Sequence, residues 1–278
     1  MLNSREKRLL NEIHLWEKHL RKDMRPELQR TYDEWVKEIL ARLPEERKNI
    51  FFSKVDDLLF HFYSLIQNSS LLHDSGKKII NIAQNFDNSI QSINDCKRLS
   101  ADQQHFIANT QLAKHRLYSF LQGGLTGAGG LLLFGVDLPA LSIIQMKAVQ
   151  VAAMSYGYET NSPYEMMNSL KVYHAAILPK HLRWKAWVGL MDELDSMPDF
   201  PFLYEGDEQL ADESLIHQAA SQIGKFFIVS AARRKVFQGI PLIGIAACAG
   251  ANYRFTKQVT DFAQNYYACR RLKEREGE

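Results

Sequence analysis

Between Arg116 and Lys147 the chain runs through residues 117–146 with a single charged side chain, Asp137. The stretch opens glycine-rich (Gly123, Gly124, Gly127, Gly129, Gly130), turns into Leu131–Phe134 and closes on Asp137-Leu138-Pro139. A second uncharged run, residues 236–253, lies between Lys235 and Arg254 and contains Gly239, Pro241, Gly244 and Gly250. Both runs are too apolar for ordinary loops and too rich in glycine for ordinary helices. Such material either packs tightly inside the protein or meets a lipid surface.

Neither run reads well as a membrane span, which needs about 20 mostly apolar residues without strong breakers. The first has five glycines at its start and Asp137-Leu138-Pro139 in its middle, and the second carries Pro241 inside it. Basic residues flank both ends of each run, where a single span favours them on one side. That layout fits a hairpin dipping in from one anionic face, and it fits a soluble core equally well. In the core reading, small residues four apart (Gly123 and Gly127, Ala247 and Ala251) let two helices approach closely. Gly127-Ala-Gly-Gly130 lacks the Gly-Lys-Ser/Thr ending of a phosphate loop.

The rest of the sequence is richly charged and reads as helix throughout, so the expected fold class is all-α. We expect a multi-helix bundle with two glycine-rich helical hairpins at its core. Residues 4–24 and 27–43 are amphipathic stretches parted at Pro26, and 45–67 continues the pattern. Over 76–97 the spacing of Ile79, Ile82, Ala83, Phe86, Ile90 and Ile93 predicts another helix. These patterns divide the chain into N-terminal amphipathic helices (1–74) and a helical unit (75–278). Ser100 and Gln103 have capping-box spacing. Asp137 reads as a helix N-cap with Pro139 in the first turn, and Gly157 as the stop of that helix. Ser162-Pro163-Tyr164-Glu165 is the clearest helix start in the chain, and Pro179 breaks or kinks the helix that it opens. The two uncharged runs share a layout: a basic helix end (Lys114-His115-Arg116; Arg233-Arg234-Lys235), then Phe, Gln and Gly. An internal duplication of a hairpin unit fits that layout.

Charge and cysteine usage narrow the function classes. A net charge of +2 implies no nucleic-acid partner, although residues 192–213 hold nine acids and no Lys or Arg. Three scattered cysteines argue against a disulfide framework and fit a reducing compartment. The charged N-terminus lacks a signal-peptide core, so the expected location is the cytoplasm or the inner face of a membrane. No HExxH, no GxSxG and no metal-ligand cluster appears among nine scattered histidines. The chain is therefore expected to be no enzyme and to carry no cofactor. Asp137, a carboxylate in the most apolar region, is either a cap or a functional group. Lys114, Arg116, Arg233, Arg234, Lys235 and Arg254 are candidate contacts for anionic lipid headgroups. Their plainer role is as solvated helix ends.

Gly123-Gly124-x-x-Gly127…Asp137-Leu138-Pro139, followed by Tyr156-Gly157-Tyr158, resembles the EcsC family. So does Ile240-Pro241-x-x-Gly244…Gly250-Ala251-Asn252 with Tyr266, Tyr267, Arg270 and Arg271. The resemblance covers roughly residues 75–272. The family is named for a bacterial protein encoded beside the ATPase and permease of an ABC-type transporter. It implies an accessory role at the cytoplasmic membrane, with transporter subunits or the membrane surface as partners. The alternative expectation is a soluble module binding a lipid or other apolar ligand between the glycine-rich hairpins.

Overall fold

The computed structural model describes residues 2–22, 70–128, 134–178, 180–195 and 241–277, and within them every long element is an α-helix. In chain order these are α1 (Ser4–Arg21), α2 (Ser70–Ala83), α3 (Ala101–Ala128), α4 (Phe134–Ser155), α5 (Pro163–Ile177), α6 (Lys180–Asp195) and α7 (Pro241–Gly277). A short 3₁₀ turn, Asn94–Arg98, leads into α3. The helices pack together, as the all-α expectation requires. The predicted helices over 27–43 and 45–67, and the part of the acidic stretch beyond Asp195, lie outside the described residues. So do Gly130, Arg233, Arg234, Lys235 and Gly239. Of the two expected hairpins only α3–α4 has both its helices described.

Local chemistry sets the boundaries. Asn3 caps α1 by accepting from the Glu6 backbone N–H at 2.8 Å, and Glu6 Oε2 accepts from the Asn3 N–H at 2.9 Å. Ser162 caps α5, with Pro163 in its first turn. At the end of α4, Gly157 has φ +87°. Its N–H donates to Met154 O while that of Tyr158 donates to Ala153 O, the paired bonds of a Schellman ending. A Cβ on Gly157 would also stand 2.9 Å from Lys97 N, so glycine is required there twice over. α5 ends at Ile177 and α6 begins at Lys180, so the helix is interrupted where the sequence predicts.

Two sequence expectations are corrected. The helix over 76–97 stops at Ala83, although the apolar spacing runs on to Ile93. Short polar side chains take over the backbone after it. Asn85 donates to Asn81 O and Ile82 O, Asp87 accepts from Ser89 N–H, and Asp95 accepts from the N–H groups of Gln91 and Ser92. Ile90 stays fully buried from a turn, while Phe86 is exposed. The second correction concerns Asp137. α4 begins at Phe134, which puts Asp137 inside the helix instead of at its cap. A carboxylate in the early turns still favours the positive end of the helix dipole.

The long helix α7 is the central post: it packs most extensively along α3 and also touches α1, α4 and α5. It runs antiparallel to α3, as shown by Gln122 with Asn252, Arg116 with Thr260 and His105 with Gln264. α3 continues as helix through Gly123, Gly124 and Gly127, so glycine does not break it. Close approach explains why. A Cβ on Gly123 would stand 2.7 Å from Cys248 O and 2.8 Å from Asn252 Nδ2, which no side chain tolerates. Gly124 is less tight, with Ala249 and Ile245 at 3.9 Å. The expected close-packing role does not extend to Gly250, where an added Cβ meets nothing within 4 Å. Ala251 is exposed, and the contact falls on Cys248, Ala249 and Asn252 instead. The surroundings of Gly127 and Gly244 lie outside the described residues.

The two glycines therefore respond oppositely to the same change. Gly123→Ala is expected to destabilise the protein by about 1–3 kcal/mol through overpacking. Gly250→Ala, in an open position of a long helix, is expected to add about 0.5–1 kcal/mol. Urea denaturation of both variants checks the signs, and equal effects would contradict the packing described.

Candidate functional site

At the end of the bundle formed by the α5 start and the α7 C-terminal half, ionisable and aromatic groups converge. Tyr266, Tyr267 and Arg270 recur three and four residues apart on α7, and Glu165, Asn168 and Ser169 do the same on α5, so each set occupies one helix face. The two faces meet. Tyr266 Oη donates to Asn168 Oδ1 at 2.6 Å, and the Ser169 and Tyr267 hydroxyls lie 3.2 Å apart. Arg270, only 8% exposed, places Nη1 2.7 Å from Glu165 Oε1, an ion-pair contact outside hydrogen-bond alignment. Its guanidinium carbon lies 3.9 Å from the Tyr158 ring centre and 5.5 Å from that of Tyr164. Tyr158 Oη donates to Glu274 Oε1 at 3.0 Å.

Electrostatics make this a locked arrangement. Burial works against the charge on Arg270, but the Tyr158 ring and the Glu165 carboxylate against it outweigh burial and raise its pKa. Burial pushes the hydroxyls of Tyr158 and Tyr267 well above the ordinary tyrosine range, so both stay protonated at neutral pH. The partners of the cation are supplied by the chain itself, and the arrangement ties α5 and the Tyr156–Tyr158 turn to α7. Two further arginines extend the tie. Arg271 Nη2 donates to Lys97 O at 2.7 Å and Arg275 Nη1 to Leu99 O at 3.1 Å, fixing the 3₁₀ connector. Arg275 also pairs with Glu6, which is 1% exposed and accepts from the Ala101 N–H that opens α3. α1 is thereby anchored to the beginning of α3 and the end of α7.

The middle of the bundle is polar as well. The inward face of α3 carries Gln104, Gln111, His115 and Ser119, all buried. Gln145 bridges Thr256 and Tyr173, and His105 Nδ1 lies 2.9 Å from Tyr156 Oη. Burial, reinforced by Lys147 and Lys114, pulls the His115 imidazole down to about 4, so it is neutral at physiological pH. Cys96 and Cys269 are buried, which pushes their thiols up to about 11 and about 12 and leaves them inert.

The residues singled out from sequence are dispersed. Arg116 is not a free lipid contact: it donates to Thr260 and pairs with Asp261 at 3.0 Å. Lys114 and Arg254 are exposed, and neither forms an ion pair among the described residues. Asp137 lies far along the chain from the Arg270 cage, and its side chain is outside the described residues. Sequence reasoning does not assign the cage, although Tyr164-Glu165-x-x-Asn168-Ser169 and Tyr266-Tyr267-x-x-Arg270 carry the helical spacing that builds it.

The packing positions of Gly123, Asn252, Gly157, Tyr158, Tyr266, Tyr267 and Arg270 are the same residues that carry the likeness to EcsC proteins. The model of the EcsC protein family matches residues 7–272. The chain belongs to the EcsC protein family. The match extends from the motif region back into α1, whose Glu6 anchor immediately precedes it. Among relatives, the chain is 24% identical over 276 residues to YdbA of Bacillus subtilis (strain 168), covering 96% of this chain and 92% of that one. It is 24% identical over 209 residues to Protein EcsC of the same organism, covering 75% of this chain and 81% of that one. No solved structure matches.

In this EcsC-family chain the buried pair Glu165–Arg270 is expected to act as a unit. Glu165→Gln leaves the buried guanidinium only the partly exposed Glu274 carboxylate, 3.5 Å from its Nε, and should cost about 3 kcal/mol, the lower end for breaking a buried pair. Glu165→Leu combined with Arg270→Met should cost clearly less than the two single changes added together. Denaturant unfolding of the wild type, Glu165→Gln, Glu165→Leu, Arg270→Met and the double variant measures this, and simple additivity would contradict the coupling.

Proposed function

We propose that this chain is a non-enzymatic accessory protein working at the cytoplasmic face of a membrane, beside an ABC-type exporter. One observation carries the membrane part. A surface helix of a soluble protein turns its apolar side inward, and the second half of α3 does the reverse. Past Leu112 its inner face bears His115 and Ser119, continuing Gln104 and Gln111 of the first half. Leu117, Tyr118, Phe120, Leu121 and Leu125 are all substantially exposed, as is Phe106. An exposed apolar stripe of this extent calls for an apolar partner. Among the described residues no helix is long and apolar enough to cross a membrane, so the reading is contact from one side.

Membership of the EcsC family supports the exporter link, through the genetic context of the protein that gives the family its name. The alternative of an apolar ligand held between glycine-rich hairpins has less support. The inner side of α3 that would line such a site is rich in polar groups, and Gly123 closes directly on α7.

Cell fractionation tests the proposal. The protein is expected in the membrane pellet at low salt, released by alkaline carbonate without detergent, and crosslinked to exporter subunits in mild detergent. Complete recovery in the low-salt supernatant would overturn membrane contact.

A further inference from the structure

The described charges are distributed unevenly along the bundle. At the end holding the Arg270 cage, cations and acids alternate in pairs: Arg270 with Glu165, Arg275 with Glu6, Lys273 with Asp195 and Arg98 with Asp95. Along α3 and α7 the acids run out toward the other end. α3 has no Asp or Glu after Asp102, and α7 has none before Asp261. Lys114, Arg116, Arg254 and Lys257 remain in those spans. Asp261 is shared between Arg116 and Lys257, which leaves this group with a net positive charge.

The antiparallel register puts the exposed apolar residues at the same end. Gly123 meets Cys248 and Asn252, so Leu121 and Leu125 of α3 lie level with Tyr253, Arg254 and Gly250 of α7. Leu117, Leu121 and Leu125 are 54%, 53% and 74% exposed, and Tyr253 is 39% exposed. Lys114 is one turn from Leu117, and Arg254 is exposed beside Tyr253. Leucines with an aromatic neighbour, rimmed by the exposed Lys114 and Arg254 that pair with no acid among the described residues, form the pattern of an interfacial helix on an anionic surface.

We infer that the α3–α7 end of the bundle docks on an anionic bilayer, with Leu117, Leu121 and Leu125 entering the headgroup–acyl boundary and Lys114 and Arg254 meeting lipid phosphates. This rests on the membrane-peripheral reading and adds the docking edge and the lipid charge. The polar groups inside α3 are the complement of this placement: Gln104, Gln111 and His115 are buried in the bundle while its apolar side is left for lipid. The Arg270 cage and the α1 anchor then face away from the membrane.

The test is flotation of the full chain with vesicles of equal phosphatidylglycerol and phosphatidylcholine, and with pure phosphatidylcholine. The wild type is expected to partition more strongly to the anionic vesicles. Leu117→Glu with Leu121→Glu should lower that partitioning by at least about tenfold, the scale of one leucine side chain returned to water. Lys114→Glu with Arg254→Glu should lose about fivefold per site on anionic vesicles and little on neutral ones. Leu15→Glu, an exposed leucine on α1, should float like the wild type. Undiminished flotation of the Leu117→Glu/Leu121→Glu variant overturns the docking edge and leaves peripheral membrane contact standing. Absent wild-type flotation overturns it as well, and here two readouts identify what covers the face. Loss of a homo-oligomer in the leucine variant by light scattering assigns it to a second copy. A lowered Tm assigns it to the chain's own residues.

Discussion

α3 and α7 lie so close at Gly123 that a single methyl group would stand 2.7 Å from the Cys248 carbonyl oxygen. That approach determines what can occupy the interior. Two helix backbones this near leave little room for large apolar side chains between them. The space is filled by small and polar groups that find partners across it: Asn252 with Gln122, Thr260 with Arg116 and Gln264 with His105. Past Leu112 the large apolar residues of α3 are left to the outside. The inverted polarity of this half of the helix accompanies that close approach at Gly123.

The hydrophobic core forms elsewhere, where helices are farther apart. Trp16, Trp187 and Phe262 stack edge to face at 4.8–5.8 Å where α1, α6 and α7 meet. The fully buried Val149, Val151, Ala152 and Ala153 place α4 in the same core. The Arg270 cage and the Glu6–Arg275 pair secure the end away from Gly123. Buried ion pairs contribute geometry more than net stability, because desolvation offsets much of their attraction. Here they define which faces of α1, α5 and α7 meet.

Much of this is legible in the sequence where a local chemical device marks it. Ser162-Pro163, Gly157 and Pro179 each act within one turn of chain, so their positions read directly as a cap, a stop and a break. Periodicity alone misleads over 76–97. Ile90 and Ile93 keep helical spacing, yet Asn85, Asp87 and Ser89 satisfy the backbone in turns. Glycine spacing suggests close packing at Gly123, but not its partner, a neighbour more than a hundred residues away. The Arg270 cage is a tertiary fact of the same sort. Its spacing is visible on each helix, but nothing local says that α5 and α7 face each other. The outward stripe on α3 shows in the sequence only as an uncharged run, without the side it faces.

The central claim is the orientation of α3, and cysteine accessibility reports it most directly. Cys96 and Cys269 are buried, so Cys248→Ser provides a quiet background. Single cysteines placed at 117 and 121 are predicted to react with a maleimide at rates near those of a free thiol. Cysteines placed at 108 and 112, where Ala108 and Leu112 are fully buried, are predicted to react at least about a hundredfold more slowly, because buried positions react only through openings that cost several kcal/mol. Protection at 117 and 121 with reactivity at 108 and 112 would mean that the stripe of α3 turns inward, and would contradict the account.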